Sequence, residues 1–212
     1  IAFDAASEGS GTTTSLTVAH TCTGINRILF VGAYTHGSTD DRVTGITYAG
    51  VAMTRINTVT NAGGGNTASR LYLYVLVNPA SGANNIVISI SPSTLTVSFN
   101  VSYTGAKQSG QPDANNTAFT ATVTALGVSV TSIADKSWLM GAARVHSGTV
   151  TVGADTSARI AGNNGIFEST FNPISPAASK TINVNTSDAA DIMWCAVTFA
   201  PAQWGSEFFL MF

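Results

Sequence analysis

Few residues in this chain are suited to acid–base or nucleophilic chemistry. There are three glutamates, Glu8, Glu168 and Glu207, and three histidines, His20, His36 and His146. The one adjacent acidic pair is Asp40-Asp41, which follows Gly37-Ser38-Thr39 in an expected loop and precedes Arg42. Glycoside hydrolysis needs two carboxylates at a set separation, and so sparse an acidic complement argues against it. Together with loop carbonyls, Asp40 and Asp41 form a candidate calcium or ligand loop. The alternative is ordinary solvated charge, and no EF-hand spacing is present. The histidines form neither HExxH nor a close pair, so a metal site would need distant ones to converge. Order along a chain never excludes a Ser-His-Asp triad. No G-x-S-x-G elbow occurs, however, and no Lys-Ser/Thr follows Gly63-Gly64-Gly65 to make it a phosphate loop. The expectation is a chain with no catalytic residue, metal or cofactor.

Sugar binding is harder to dismiss. Sandwich lectins grip saccharides with loop aromatics beside Asn, Asp and Arg. The residues available here are Tyr34, Tyr48, Trp204, Asp40, Asp41 and Arg42. Most aromatics fall in expected strands, where core packing is the simpler role.

Composition narrows the field further. Charged residues make up 9% of the 212, far below the roughly 25% of an ordinary soluble domain. Thr, Ser, Asn and Gly must therefore supply the polar surface, with little charge repulsion to keep copies apart. Such a surface suits a subunit that works among neighbours. The three Lys and six Arg are scattered singly, without the clustered cations that nucleic-acid binding requires. No apolar run approaches the length of a membrane span; the longest is Leu71 to Val77. The chain opens on Ile1, either an arbitrary boundary or an end left by leader removal.

The elements that would position any site read as strands. Apolar periodicity of the helical kind is absent, and short β-branched runs alternate with turn clusters. The expected strands are Ser15–His20, Arg27–Tyr34, Val43–Tyr48 with Val51–Val59 as a hairpin, Arg70–Val77, Asn85–Ile90 and Thr94–Tyr103. After a polar loop from Gly105 to Asn116, strands resume at Ala118–Val123, Gly127–Ile133, Ser137–Val145, Thr149–Val152, Ala158–Ala161, Gly165–Phe171, Lys180–Asn185 and Ile192–Phe199. In Thr94–Tyr103, the residues Leu95, Val97, Phe99, Val101 and Tyr103 share one face. Neither a repeat of fixed period nor an internal linker is visible. Two cysteines, Cys22 and Cys195, lie near opposite ends. They are either a disulfide closing a long loop, worth up to about 5 kcal/mol in the chain-entropy model, or two buried thiols.

The end of the chain is apolar. Trp204 is followed by Phe208, Phe209, Leu210, Met211 and Phe212. Chain ends ordinarily fray, so this one needs a partner. It either tucks into its own fold, docks on a neighbouring subunit as an added strand, or leads into a further segment.

Several phrases occur together in order. They are Phe3-Asp4-Ala5-Ala6-Ser7, Asn26 to Gly32, Ile46 to Thr54, Leu73 to Gly82, and Ser102-Tyr103-Thr104-Gly105-Ala106. In this arrangement the chain resembles a widespread group of uncharacterised domains in secreted or surface proteins of environmental bacteria and in phage-associated proteins. The resemblance runs to about Pro201. It implies an extracellular, single-domain antiparallel β-sandwich of jelly-roll character over residues 1–201, and it supplies no catalytic residues. Residues 202–212 fall outside the shared pattern, as a tail particular to this chain. The expected function is a structural subunit of an extracellular, cell-surface or virion assembly, a homo-oligomer or polymer joined through strand edges and the tail. A carbohydrate-binding or adhesive module is the alternative.

Overall fold

A computed structural model describes residues 1–63 and 68–202. The described residues are all-β, with two antiparallel sheets packed face to face as a β-sandwich. They contain no helix, and so none long and apolar enough to cross a membrane. Residues 203–212, which include every residue of the proposed tail contact, lie outside the described residues.

The first sheet holds β1 (Ala2–Cys22), β2 (Ile28–His36), β3 (Val43–Tyr48), the two-residue β4 (Val51–Ala52), β5 (Thr54–Asn61), β6 (Ser69–Val77) and β7 (Gly82–Thr104). The second holds β8 (Ala114–Thr131), β9 (Trp138–Val145), β10 (Val150–Val152), β11 (Thr156–Ile160), β12 (Asn164–Ser169) and β13 (Ser179–Phe199). Their orders are β4-β3-β7-β2-β6-β5 and β10-β13-β9-β12-β11, with β1 added on β7 and β8 added on β13. Apart from β4, the two are the same pattern. The chain is an internal duplication of a six-strand unit.

The duplication extends to irregularities. In the β1·β7 ribbon, pairing passes from Thr13↔Thr94 to Ser15↔Ser89, so Thr14 stands against residues 90–93. In the β8·β13 ribbon it passes from Val123↔Ala190 to Ala125↔Asn185, so Thr124 stands against residues 186–189. The bulge between Arg55 and Asn57 of β5 recurs between Ala158 and Ile160 of β11. No fixed period betrays the repeat, because connections differ in length. Through the registers, Leu29 matches Leu139, Tyr74 matches Phe167 and Tyr103 matches Phe199.

These breaks also correct the strand reading. The turns expected at Ser91-Pro92, near Val123 and after Asn185 are kinks within β7, β8 and β13. Residues 2–14, given no strand above, form the first half of β1. The expected Val43–Val59 hairpin is limited to two residue pairs, after which β5 crosses to β6.

At each break the ribbon folds back over its own sheet. The result is four layers and three cores. Leu16, Val18, Ile46, Tyr48, Ile86 and Ile88 of the first outer layer pack on Leu29, Val31, Tyr72 and Tyr74. Val128, Val130, Ile182 and Val184 of the second outer layer pack on Leu139, Ala143, Phe167 and Trp194. The inner layers meet through Ile28, Phe30, Leu73, Phe99, Val101 and Tyr103 against Met140, Ala142, Ile166, Met193, Val197 and Phe199. Both faces of β2 and β9 are therefore buried, which is why each reads as a nearly continuous apolar run. Close approach is allowed by small residues. A Cβ on Gly9 would lie 2.5 Å from Val18 Cγ2, and one on Gly32 would lie 2.3 Å from the Phe99 ring.

A Cβ at Gly32 would press on the Phe99 ring, which is itself fully buried, so overpacking there has no outlet. The variant Gly32→Ala is expected to lose about 1–3 kcal/mol of stability, read as a lower denaturant midpoint with an unchanged slope.

Candidate functional site

The first repeat buries a chain of polar groups that the second lacks. Thr96, Ser98, Asn100 and Ser102 of β7 are all fully buried. Alternation alone puts this row on the face opposite Val97, Phe99 and Val101, a face that is wet in a sheet covered on one side. Here the folded-back outer layer covers it. That layer brings in His20, which continues the inward row Leu16, Val18 and is 3% exposed.

The hydrogen bonds have a single consistent direction. Ser102 Oγ donates to Asp4 Oδ2 at 2.8 Å. Its remaining role toward His20 is acceptor, so His20 Nε2–H donates to it at 3.1 Å. His20 Nδ1 then accepts from Ser7 Oγ at 2.8 Å. Ser7 Oγ in turn accepts from Asn100 Nδ2 at 3.2 Å, and Asn100 Oδ1 accepts from Ser98 Oγ at 2.7 Å. Asp4 ends the chain and also accepts from Thr23 N at 2.8 Å and from Thr23 Oγ1. Burial lowers the His20 pKa from 6.5, and the Asp4 carboxylate opposes that shift without cancelling it. Burial also acts against ionised Asp4, but the bonds from Thr23 and Ser102 outweigh it and hold the carboxyl below 3.8.

Asp4, His20 and Ser102 are the residue types of an acyl-transfer triad, but they are connected in the wrong order. In a triad the acid holds the histidine and the histidine takes the serine proton. Here the acid holds the serine and the histidine donates to it. Ser102 is also fully buried. The arrangement stabilises packing and offers no nucleophile. Its second-repeat counterpart keeps only the terminal part: Asp113 accepts from Ile133 N, Ala134 N and Ser137 Oγ. Where the first repeat has His20, Ser98 and Asn100, the second has Val130, Trp194 and Ala196, matched through the ribbon registers. Trp194 Nε1 donates to Leu126 O at 3.0 Å, so the indole is satisfied.

A buried acid ties the sheets together. Glu168 of β12 is 2% exposed. Tyr103 Oη, from the opposite sheet, donates to Oε1, and Arg159 Nε donates to Oε2 at 2.9 Å. The Arg159 guanidinium covers the Phe3 ring, 4.5 Å from its centroid. Burial, then the negative charge of Glu168, raises the Tyr103 phenol well above its usual value.

The predicted ligand loop is occupied by its own scaffold. Asp41 Oδ2 accepts from Arg55 Nη1 at 2.6 Å, and Arg55 also donates to Tyr74 Oη and Val43 O. That guanidinium lies 5.4 Å from the Tyr72 ring centroid and 5.5 Å from that of Tyr74. Asp40 accepts from Ser38 Oγ at 2.6 Å and pairs loosely with Arg42, 3.8 Å away. Asp40 and Asp41 thus turn to different cations. Among the described residues, no three His, Cys, Asp or Glu side chains gather as a metal site.

The lectin candidates Tyr34 and Tyr48 are core residues, 2% and 0% exposed. Burial, then a hydrogen bond with Cys22, pushes the Tyr48 phenol up to about 12. Trp204, Gly64 and Gly65 lie outside the described residues. Cys22 and Cys195 correct the disulfide alternative: both are buried free thiols, one in the first outer core and the other in the middle core. A layer of the first sheet separates them.

No family model, curated protein sequence or solved structure matches the chain. The least ordinary surface is one end of the sandwich. There Ala202 N donates to Gly105 O at 2.8 Å, and Lys107 N donates to Ala200 O at 2.9 Å. Two clefts flank this short pairing. One, of about 410 Å³, is lined by Ile1, Ala2, Ile25, Gly105, Pro201 and Ala202. The other, of about 580 Å³, is lined by Lys107, Ala134, Asp135, Lys136, Pro201 and Ala202. Beside them stand Ile25 and Ile133, 68% and 74% exposed, the most exposed of the described large apolar side chains.

Each of these two acids has an expected effect on stability. Replacing Arg159 by Met leaves Glu168 without its cation, an expected loss of about 2–3 kcal/mol given that Arg159 is partly solvated; adding Glu168→Gln should recover part of it in a denaturant double-mutant cycle. Asp4 has a depressed pKa, so its contribution is present above its unfolded value of 3.8 and is lost as pH falls through the folded value. Asp4→Asn should therefore be less stable at neutral pH and show a shallower acid limb below about pH 4.

Proposed function

We propose that this chain is a structural subunit of an extracellular or virion-surface assembly, in which copies join through the end that carries Ile25 and Ile133. The observation that supports this reading is the coincidence at that end. The two most exposed apolar side chains and two clefts surround Pro201-Ala202, from which the sequence continues into Trp204 and the run Phe208 to Phe212. An apolar patch with an apolar segment attached is a self-complementary pair, and such a contact between identical copies closes into rings or extends into filaments according to its symmetry. The 9% charged fraction leaves little repulsion to oppose it. Short edge strands fit the same reading. β4 and β10, of two and three residues, blunt one edge of each outer layer against unspecific pairing, while the opposite edges, the halves of β1 and β8 beyond the breaks, are paired on one side only and are open to a second copy. The resemblance to secreted and phage-associated surface domains points the same way.

A carbohydrate-binding role is the second reading. An open trough of about 600 Å³ on the first outer layer is lined by Thr47, Asn84 and Asn85 among small residues. Asparagine amides both donate to and accept from sugar hydroxyls. Binding on a glycan array, lost in Asn84→Ala with Asn85→Ala, would promote this reading.

The assembly reading is tested by light scattering and electron microscopy of the full chain. Ile25→Asp with Ile133→Asp, or deletion of residues 208–212, is expected to leave a folded monomer. Unaltered assembly in both variants would sink the reading.

A further inference from the structure

We propose that His20 makes the first repeat acid-sensitive and leaves the second repeat indifferent, because protonating Nδ1 reverses the Ser7 hydrogen bond that joins the outer layer to the inner one. The proposal concerns the interior and is independent of the assembly reading.

His20 lies in the outer half of β1, while Ser7 and Asp4 lie in its inner half, and Asn100 and Ser102 lie in the inner half of β7. The His20 ring is thus a polar bridge between two layers. In the neutral ring, Nδ1 is the acceptor for the Ser7 hydroxyl. Once protonated, Nδ1 becomes a donor. Ser7 Oγ must then accept from both Nδ1–H and Asn100 Nδ2–H, and its own proton loses its acceptor. A half-buried donor such as the Ser7 hydroxyl loses free energy without its partner, and a cation on the buried His20 ring costs more.

The surroundings offer one compensating charge. Asp4 of β1 reaches His20 only through Ser102. The other titratable neighbours are Cys22, next in the inward row of β1, and Tyr48 of β3, whose ring meets the imidazole edge-on at 6.3 Å. Neither carries charge near neutral pH, since burial pushes both pKa values up. β2 presents Leu29 and Val31 beside Ser102 and Asn100. Burial therefore outweighs the attraction of Asp4, and the His20 pKa is lowered in the fold. The sign follows. A base with a depressed folded pKa binds more protons when unfolded, so its penalty is absent above 6.5 and grows as pH falls below that value.

The second repeat is the built-in control. It has the same ribbon and the same break, with Val130 at the position of His20 and apolar Trp194 and Ala196 in the matching row. At that position in the row acid has no group to titrate.

The test is hydrogen exchange of the full chain by peptide mass spectrometry at about pH 7.5 and about pH 5, corrected for intrinsic rates. Residues 15–22 and 82–90 are expected to lose protection about fivefold or more at the lower pH, while 125–131 and 179–185 hold theirs. His20→Gln keeps hydrogen-bonding groups without a titrating proton, and it should remove the difference between the two pH values. Equal loss of protection in both repeats of the unmodified chain would overturn the proposal. So would a His20→Gln protein that responds to acid as the unmodified chain does. The comparison of repeats needs no variant, so it stands even if His20→Gln does not fold.

Discussion

A paired strand keeps its side-chain alternation for as long as its register holds. The β1·β7 and β8·β13 ribbons would therefore run straight, with one face in water, unless something interrupted them. Each has one small register shift and one large one, where one residue stands against four. That interruption lets a ribbon turn over its own sheet and lie on it as a second layer. The covered inner sheets then have two apolar faces each, one for the outer layer and one for the other repeat. The three cores, the buried polar row and the exposed end all depend on those two breaks.

The two repeats share one scaffold and fill it differently. In the second repeat an indole occupies the row, with its N–H on a backbone carbonyl. In the first the same row is a chain of small hydroxyls, an amide and an imidazole. A buried polar network is stable only when every member is satisfied, and a partly satisfied one is worse than an apolar core. From Ser98 to Asp4 each polar side chain has a partner, with no slack for an added proton. Gly165, facing Ala143 in the row that holds Trp194, and Tyr72, facing Ala33 in the row that holds Ser98, show the matching exchange of volume.

Strand positions, the all-β class and the sandwich were legible because β-branched runs and turn residues act locally. What was illegible depended on distant partners. Ser91-Pro92 reads as a turn, yet in β7 it is the break of a continuous ribbon, and only β1 reveals the difference. Residues 2–14, rich in Gly, Ser and Thr, lack apolar alternation, so their strand exists by pairing with β7. The repeat escaped notice because matched strands are unevenly spaced and share few identities beyond such pairs as Leu29 with Leu139. The loop at Asp40-Asp41 was recognisable, but its engagement by Arg55 across the hairpin was not. Ser98, Asn100 and Ser102 looked like a wet face because sequence cannot announce that another layer will cover it. The alternation of Leu16, Val18, His20 and Cys22 was the available hint that His20 points inward.

The closed form of each ribbon also bears on the order in which the chain matures. β1 finds its partner only when β7 has been made, nearly a whole repeat later, and β8 waits in the same way for β13. Such distant pairings are slow to form, because the loop must close before any contact rewards it. Yet every pairing of the first sheet is complete by Thr104, before the second sheet begins at Ala114. All strands of the first sheet are therefore made before any of the second, and Phe30, Phe99 and Tyr103 have no cover until the second sheet follows. Until then those rings are the most adhesive part of the nascent chain, and this interval is when a crowded compartment would be most hazardous to it.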